Sequence, residues 1–167
     1  TSDVRGAYTS AYYDRGTTET LISVRRNILN ANANSILSNS IRWGGYCPTK
    51  EYFDMFQMSD GTDFSWDNPE QAKNPFLNRD PRLAASIVLP GAQYGSIVFI
   101  PANDQVPCGT RPRKYADIGN SDPDNCAINQ IVLRYADVLL MRAEALIEAN
   151  NLTDEVYTLI NKVRQRV

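Results

Sequence analysis

A chain of 167 residues is one domain's worth, long enough to bury about two-thirds of its unfolded surface if compact. Its 17 basic and 19 acidic side chains nearly cancel without forming a basic stripe, which argues against a nucleic-acid footprint. Histidine is absent, so neither a Ser-His-Asp nor a Cys-His nucleophile can be assembled from this chain, and the commonest metal ligand is missing too.

Residues 1–18 are polar with aromatics at Tyr8, Tyr12 and Tyr13, and Asp3-Val4-Arg5 is a start for a short helix. Glu19 to Val24 (ETLISV) is a short apolar, β-leaning run and predicts a strand. From Arg25 to Cys47 the many Asn and Ser side chains compete for backbone hydrogen bonds, which predicts irregular structure ending at the turn Gly44-Gly45. Pro48-Thr49-Lys50-Glu51 is a helix start with Thr49 as N-cap. Tyr52, Phe53, Met55 and Phe56 then predict a helix running to about Met58 and stopped at Ser59-Asp60-Gly61.

Thr62 to Lys73 reads as a polar loop carrying Phe64 and Trp66. Pro81 keeps Asp80 out of the helical region. Leu83 to Leu89 (LAASIVL) predicts a strand, turned at Pro90-Gly91 and paired with Gly95 to Ile100 as a hairpin. From Pro101 to Asn129 the chain reads as loop, with Arg113-Lys114-Tyr115 its one cationic knot, and Ile128 to Leu133 leads into the last segment.

That segment, Arg134 to Val167, carries the clearest helical period in the chain. Apolar residues recur at Ala136, Leu139, Leu140, Ala143, Leu146 and Ile147, and the pattern restarts after Asn150-Asn151 at Val156, Leu159, Ile160, Val163 and Val167. Thr153 is an N-cap type, followed by Asp154 and Glu155 where the helix dipole favours negative charge. The span is the length of one tetratricopeptide repeat, and each helix has an apolar stripe wider than its partner can cover.

No run of 18 apolar residues is present to form a membrane-spanning helix, and no signal-peptide pattern is visible. The start at Thr1 and the stop at Val167 inside a helical pattern read as part of a longer protein. The three cysteines, Cys47, Cys108 and Cys126, form no CxxC pair, so a zinc site is not expected. Cys108 and Cys126 share a loop and can pair in an exported protein, though spacing does not decide whether they do.

The ordered blocks PTKEYFDMFQMSDGT (48–62), NRDPRLAASIVLPG (78–91), RKY (113–115), RYADVLLMRAEAL (134–146) and INKVRQR (160–166) resemble the SusD/RagB family. These are outer-membrane nutrient-binding lipoproteins of Bacteroidetes-type bacteria. The resemblance implies a mainly α fold, with a tetratricopeptide-like helix pair at 134–167 and a loop-rich half at 1–133 holding a few short strands. Together they make a partial SusD-like domain over 1–167. It also implies non-catalytic binding of glycans, or in some branches peptides, at the outward face of the outer membrane. Delivery would be to a SusC-like TonB-dependent transporter, with membrane attachment only through a lipid anchor that this chain lacks. No cofactor and no metal are implied.

A sugar ring stacks its apolar face on an aromatic while its hydroxyls bond planar polar groups. The candidate ligand residues are therefore Trp43 and Tyr46 with Arg25, Arg26 and Asn27, and beyond them Trp66, Tyr12, Tyr13 and Tyr94. Trp43 has a competing reading as a plug in the loop-rich half. Arg79 and Arg82 could clamp an anion, but ties between Asp80, a loop and the helices are the commoner use of such pairs. Arg134 with Asp137 reads as local helix stabilisation. Asp60-Gly61-Thr62-Asp63 has part of a calcium-loop pattern without its closing glutamate. Two rival functions remain: a helical-repeat adaptor for a protein or peptide, and a glycoside hydrolase, which the missing histidine mildly disfavours.

Overall fold

The computed structural model describes residues 17–26, 40–41, 44–94, 97–101, 109–116 and 128–165. The chain divides into two compact units, one of Thr1–Arg25 with Asn129–Val167 and one of Arg26–Ile128. The fold is mainly helical with short two-stranded pairings.

In the first unit, β1 (Thr20–Val24) lies where ETLISV predicted a strand. Its partner, far along the chain, is the lead-in to the terminal helices: β6 (Gln130–Arg134) pairs antiparallel with it, Val24 opposite Gln130 and Thr20 opposite Arg134. Helix α4 (Tyr135–Glu148) follows at once. Its N-cap position is held by Arg134, whose side chain cannot accept a hydrogen bond. Glu19 does that work from the edge of β1: its carbonyl accepts from the Tyr135 amide at 2.7 Å and its Oε1 from the Ala136 amide at 3.1 Å. Asp137 completes the turn by accepting from the Arg134 amide at 3.0 Å, with the Arg134 guanidinium 3.8 Å away. This is the local stabilisation expected of that pair.

Helix α4 ends where Asn150 adopts the left-handed conformation (φ 53°) that asparagine tolerates. Amides of Asn150 and Asn151 return to the carbonyls of Ile147 and Leu146. Helix α5 (Asp154–Arg164) starts after Thr153, which occupies the N-cap position in extended backbone but makes no side-chain cap bond. The helices close over Leu139, Ala143, Val156 and Leu159, with Leu146, Ile160 and Val163 at the edges. Arg142 and Glu155 form an ion pair between them at 2.6 Å. As predicted, the pair leaves apolar surface uncovered: Leu140 and Ile147 of the first stripe remain exposed, as do Met141, Leu152 and Tyr157 outside the stripes.

The second unit holds short elements around two small cores. Helix α1 (Lys50–Asp54) begins as predicted, with Thr49 Oγ1 accepting from the Tyr52 amide at 3.2 Å. It is one turn long and does not reach Met58. At its end the Phe56 amide donates to the Phe53 carbonyl at 3.4 Å, and Arg79 donates to the carbonyls of Phe53 and Phe56. Helix α2 (Pro69–Lys73) lies in the stretch expected to be loop, with Asn68 as N-cap and Pro69 at its first position.

Helix α3 (Pro81–Ser86) replaces most of the strand expected at 83–89, and only Ile87–Val88 is extended, as β2. Asp80 accepts from the Arg82 amide at 2.8 Å, and Pro81 fills the first helical position, so the N-terminal signals outweigh the β-leaning composition. Nor is the expected hairpin formed. β2 pairs with β5 (Arg111–Pro112), while β3 (Gln93–Tyr94) pairs with β4 (Ile97–Val98). Arg113 anchors the β5 side, donating from its amide to the Ser86 carbonyl at 2.8 Å and from Nη1 to the Ala84 carbonyl at 3.0 Å.

One core gathers Phe53, Phe64, Leu83 and Ile87, the other Ile41, Val88, Phe99 and Ala116. Cys47 is disulfide-bonded. The pairing of Cys108 with Cys126 considered from sequence lies outside the described residues. No described helix is long and apolar enough to cross a membrane.

Candidate functional site

Of the residues singled out from sequence, Tyr12, Tyr13, Asn27 and Trp43 lie outside the described residues. Arg25 and Arg26 fall on either side of the boundary between the two units. Tyr94 lies in β3 opposite Ile97. Tyr46 is 54% exposed just after the Gly44-Gly45 turn. Trp66 is therefore the candidate whose surroundings are fully defined.

The Trp66 surface is built from the Arg79 guanidinium outwards. Arg79 is only 7% exposed. It donates from Nη2 to the carbonyls of Phe53 (2.8 Å) and Phe56 (2.6 Å), and from Nη1 to that of Pro75 (2.8 Å). Its central carbon lies 4.6 Å from the Phe53 ring centroid and 3.9 Å from that of Phe64. Burial lowers its pKa, but a guanidinium stays charged throughout the accessible range. Arg82 pairs with Asp80, whereas Arg79 bonds backbone carbonyls, so the described contacts of the two arginines are structural without the tie from Asp80 to the helix pair that was expected.

On this base sits an aromatic cluster. Phe53 meets Phe64 and Phe76 edge to face at 5.9 and 5.6 Å, a geometry that suits ring quadrupoles. Trp66 packs on Phe53 at 6.1 Å and edge-on to Phe64 at 5.0 Å, yet keeps 42% of its surface in solvent. Its indole Nε1 donates to Asp54 Oδ1 at 2.8 Å. Lys50, one turn earlier on α1, pairs with the other Asp54 oxygen, and its ammonium stands 5.3 Å from the indole centroid. An exposed indole is thus fixed against a carboxylate and an ammonium. Sequence reading picked out the indole and missed both polar groups. The i, i+4 spacing of Lys50 and Asp54 was the available signal.

Partial burial pushes the Asp54 carboxyl up, but the bonds from Lys50 and Trp66 and the charges of Lys50 and Arg79 together hold it below its ordinary value. A lowered folded-state value means that stability from this group is present above about pH 4, the unfolded value, and is lost as pH falls through the folded one. Acid titration of wild type should therefore show a larger loss of stability below about pH 4 than Asp54→Asn shows, the remainder coming from other carboxylates such as Asp60. Chemical denaturation at stepped pH checks this, and parallel curves for the two proteins would refute it.

The Asp60-Gly61-Thr62-Asp63 turn is satisfied internally. Asp60 Oδ1 accepts from the Thr62 amide at 2.9 Å and hydroxyl at 2.6 Å, which lowers the Asp60 pKa, and Asp63 accepts from Gln57 at 3.2 Å. Gly61 takes the positive φ of 86° that this turn requires.

The described geometry defines a mainly helical protein with a scaffold helix pair and an aromatic surface patch. The SusD family model matches residues 10–167, and the chain belongs to that family. A SusD-like protein from Bacteroides fragilis superposes with a TM-score of 0.76 at 26% identity, covering 96% of this chain and 38% of its own. A SusD-like carbohydrate binding protein from the same organism gives a TM-score of 0.76 at 24% identity, covering 95% of this chain and 36% of its own. The chain therefore spans well under half the length of these two structures. No curated protein sequence matches it.

Proposed function

We propose that this chain binds glycans or oligosaccharides without catalysis at the bacterial cell surface. The bound glycan is passed to a SusC-like TonB-dependent transporter at the outward face of the outer membrane, and attachment is by a lipid anchor. The observation that carries the reading is membership of the SusD family over residues 10–167. The half-exposed indole of Trp66, bonded to Asp54, supports it, because a rigid aromatic beside polar groups suits a ring with one apolar face and a hydroxylated rim. Absence of histidine is consistent with binding rather than turnover.

A second reading, a peptide- or protein-binding adaptor, is favoured by the exposed Leu140, Met141, Ile147, Leu152 and Tyr157 of the helix pair. Affinity electrophoresis and calorimetry on a polysaccharide panel, with Trp43→Ala and Trp66→Ala alongside, separate the two. Retardation by at least one polysaccharide, weakened about tenfold in a tryptophan variant, is the expected result. Binding to no glycan, together with binding to a peptide, would replace the first reading with the second. Release of reducing ends would show hydrolysis instead.

A further inference from the structure

We propose that the β1–β6 ribbon is a hinge built into the fold, fixed at its helix end and pliant in its middle, on which the second unit turns. The chain leaves the first unit after Arg25 and returns to it at Asn129. Both crossings continue one antiparallel pair, with Val24 opposite Gln130 at the crossing end. Residues 26–128 are therefore an insertion whose two ends are tied side by side by a two-stranded stalk.

The helix end of the stalk is held firmly. Beside the Thr20–Arg134 pair, Glu19 accepts from the Tyr135 amide through its carbonyl at 2.7 Å and from the Ala136 amide through Oε1 at 3.1 Å. Asp137 accepts from the Arg134 amide at 3.0 Å. These bonds join the stalk to the first turn of α4 and satisfy amides that a helix leaves without partners.

The middle is built to bend. Leu21 is an extra residue between Thr20 and Ile22, and Val132 is one between Ile131 and Leu133, so the ladder is interrupted on both sides of the Ile22–Leu133 pair. An extra residue breaks the ladder locally and bends its strand. Packing does not stiffen this stretch, since Leu21 and Val132 are 50% and 62% exposed and Ile22 and Val24 are exposed too. No third described strand joins the pair, and a lone two-stranded ribbon is marginal in water. A hinge is a few residues that absorb backbone rotation between better-tied parts. The Trp66 surface lies wholly within residues 26–128, so bending the stalk redirects it without breaking its internal contacts.

The test uses the full chain with spin labels on bioorthogonal residues at Met55 and Tyr157, both exposed and one in each unit, and reads the spread of label distances by pulsed electron resonance. Labels at Leu140 and Tyr157, both on the helix pair, give the spread that the labels alone produce. The spread between units should be about twofold broader than that reference, or more. Deleting Leu21 and Val132 together leaves a continuous register between the strands and should bring the spread back to the reference. Glu19→Ala loosens the helix end and should broaden the wild-type spread further, with faster amide exchange at Tyr135 and Ala136.

A wild-type spread as narrow as the reference overturns the hinge. A broad spread that the double deletion leaves unchanged, in protein whose circular dichroism equals that of wild type, places the motion elsewhere and overturns the role of the ribbon. If the deletion protein does not fold, Glu19→Ala decides, and an unchanged spread in that variant overturns the proposal.

Discussion

Replacing Arg79 by alanine is expected to destabilise the second unit by about 3–5 kcal/mol. The carbonyls of Phe53, Phe56 and Pro75 lose a charged donor, the Phe53 carbonyl keeping only the Phe56 amide at 3.4 Å; a hydrogen bond to a charged group is worth about 1.5–3 kcal/mol, part of which water entering the gap restores. The guanidinium carbon, 4.6 and 3.9 Å from the Phe53 and Phe64 ring centroids, also leaves a void when removed. In a chain of this size the loss corresponds to a melting temperature lower by about 10 °C. Arg79→Lys should recover little of it, because a single ammonium lacks the planar fork that reaches three carbonyls. Thermal melts of the three proteins check this. A fall of less than about 2 °C for Arg79→Ala would mean that the guanidinium is dispensable.

The second large effect concerns the other unit. Leu139→Ala should cost about 2–5 kcal/mol, in the range for truncating a buried leucine. The upper part of that range is favoured because the helix pair closes over only four buried residues, Leu139, Ala143, Val156 and Leu159. Ala143 and Val156 are too small to fill the space left. Hydrogen exchange resolved by segment should show faster exchange in α4 and α5 and little change in α1 to α3. Uniform acceleration across both units would show that they unfold as one and would refute the local account. Leu140→Ala, on the exposed side of the same helix, should stay within about 0.5 kcal/mol and serves as the control.

How legible the fold was depended on how local its causes are. The helix pair could be read because a 3.6-residue period over Ala136, Leu139, Ala143 and then Val156, Leu159, Val163 selects one face without reference to anything distant. The N-cap at Thr49 was equally local. LAASIVL was misread because a short apolar run with β-branched residues looks alike in a strand and in a buried helical turn. The Asp80-Pro81 start decided it, and that signal lay just outside the run.

The pairing of β1 with β6 had no local signature. Thr20 meets Arg134 across more than a hundred intervening residues, and nothing in ETLISV names its partner. The tie at the end of α1 likewise comes from a distance, from a guanidinium twenty-three residues beyond Phe56.

For the site, an aromatic flanked by small polar residues was visible as a candidate, but its environment was not. Nothing in the order of residues distinguishes Phe64, now buried in a core, from Trp66, two positions on and half exposed. Composition could state that no histidine chemistry is available, since absence of a residue type needs no geometry. Residue order carried the helix pair, the caps and the family likeness, all of which depend on neighbours a few positions apart. Only the folded chain decided which tryptophan face stays open, that Asp54 and Lys50 flank it, and that Arg79 supports it from behind. Those outcomes rest on contacts between segments far apart in sequence, whose energies appear only once packing brings them together.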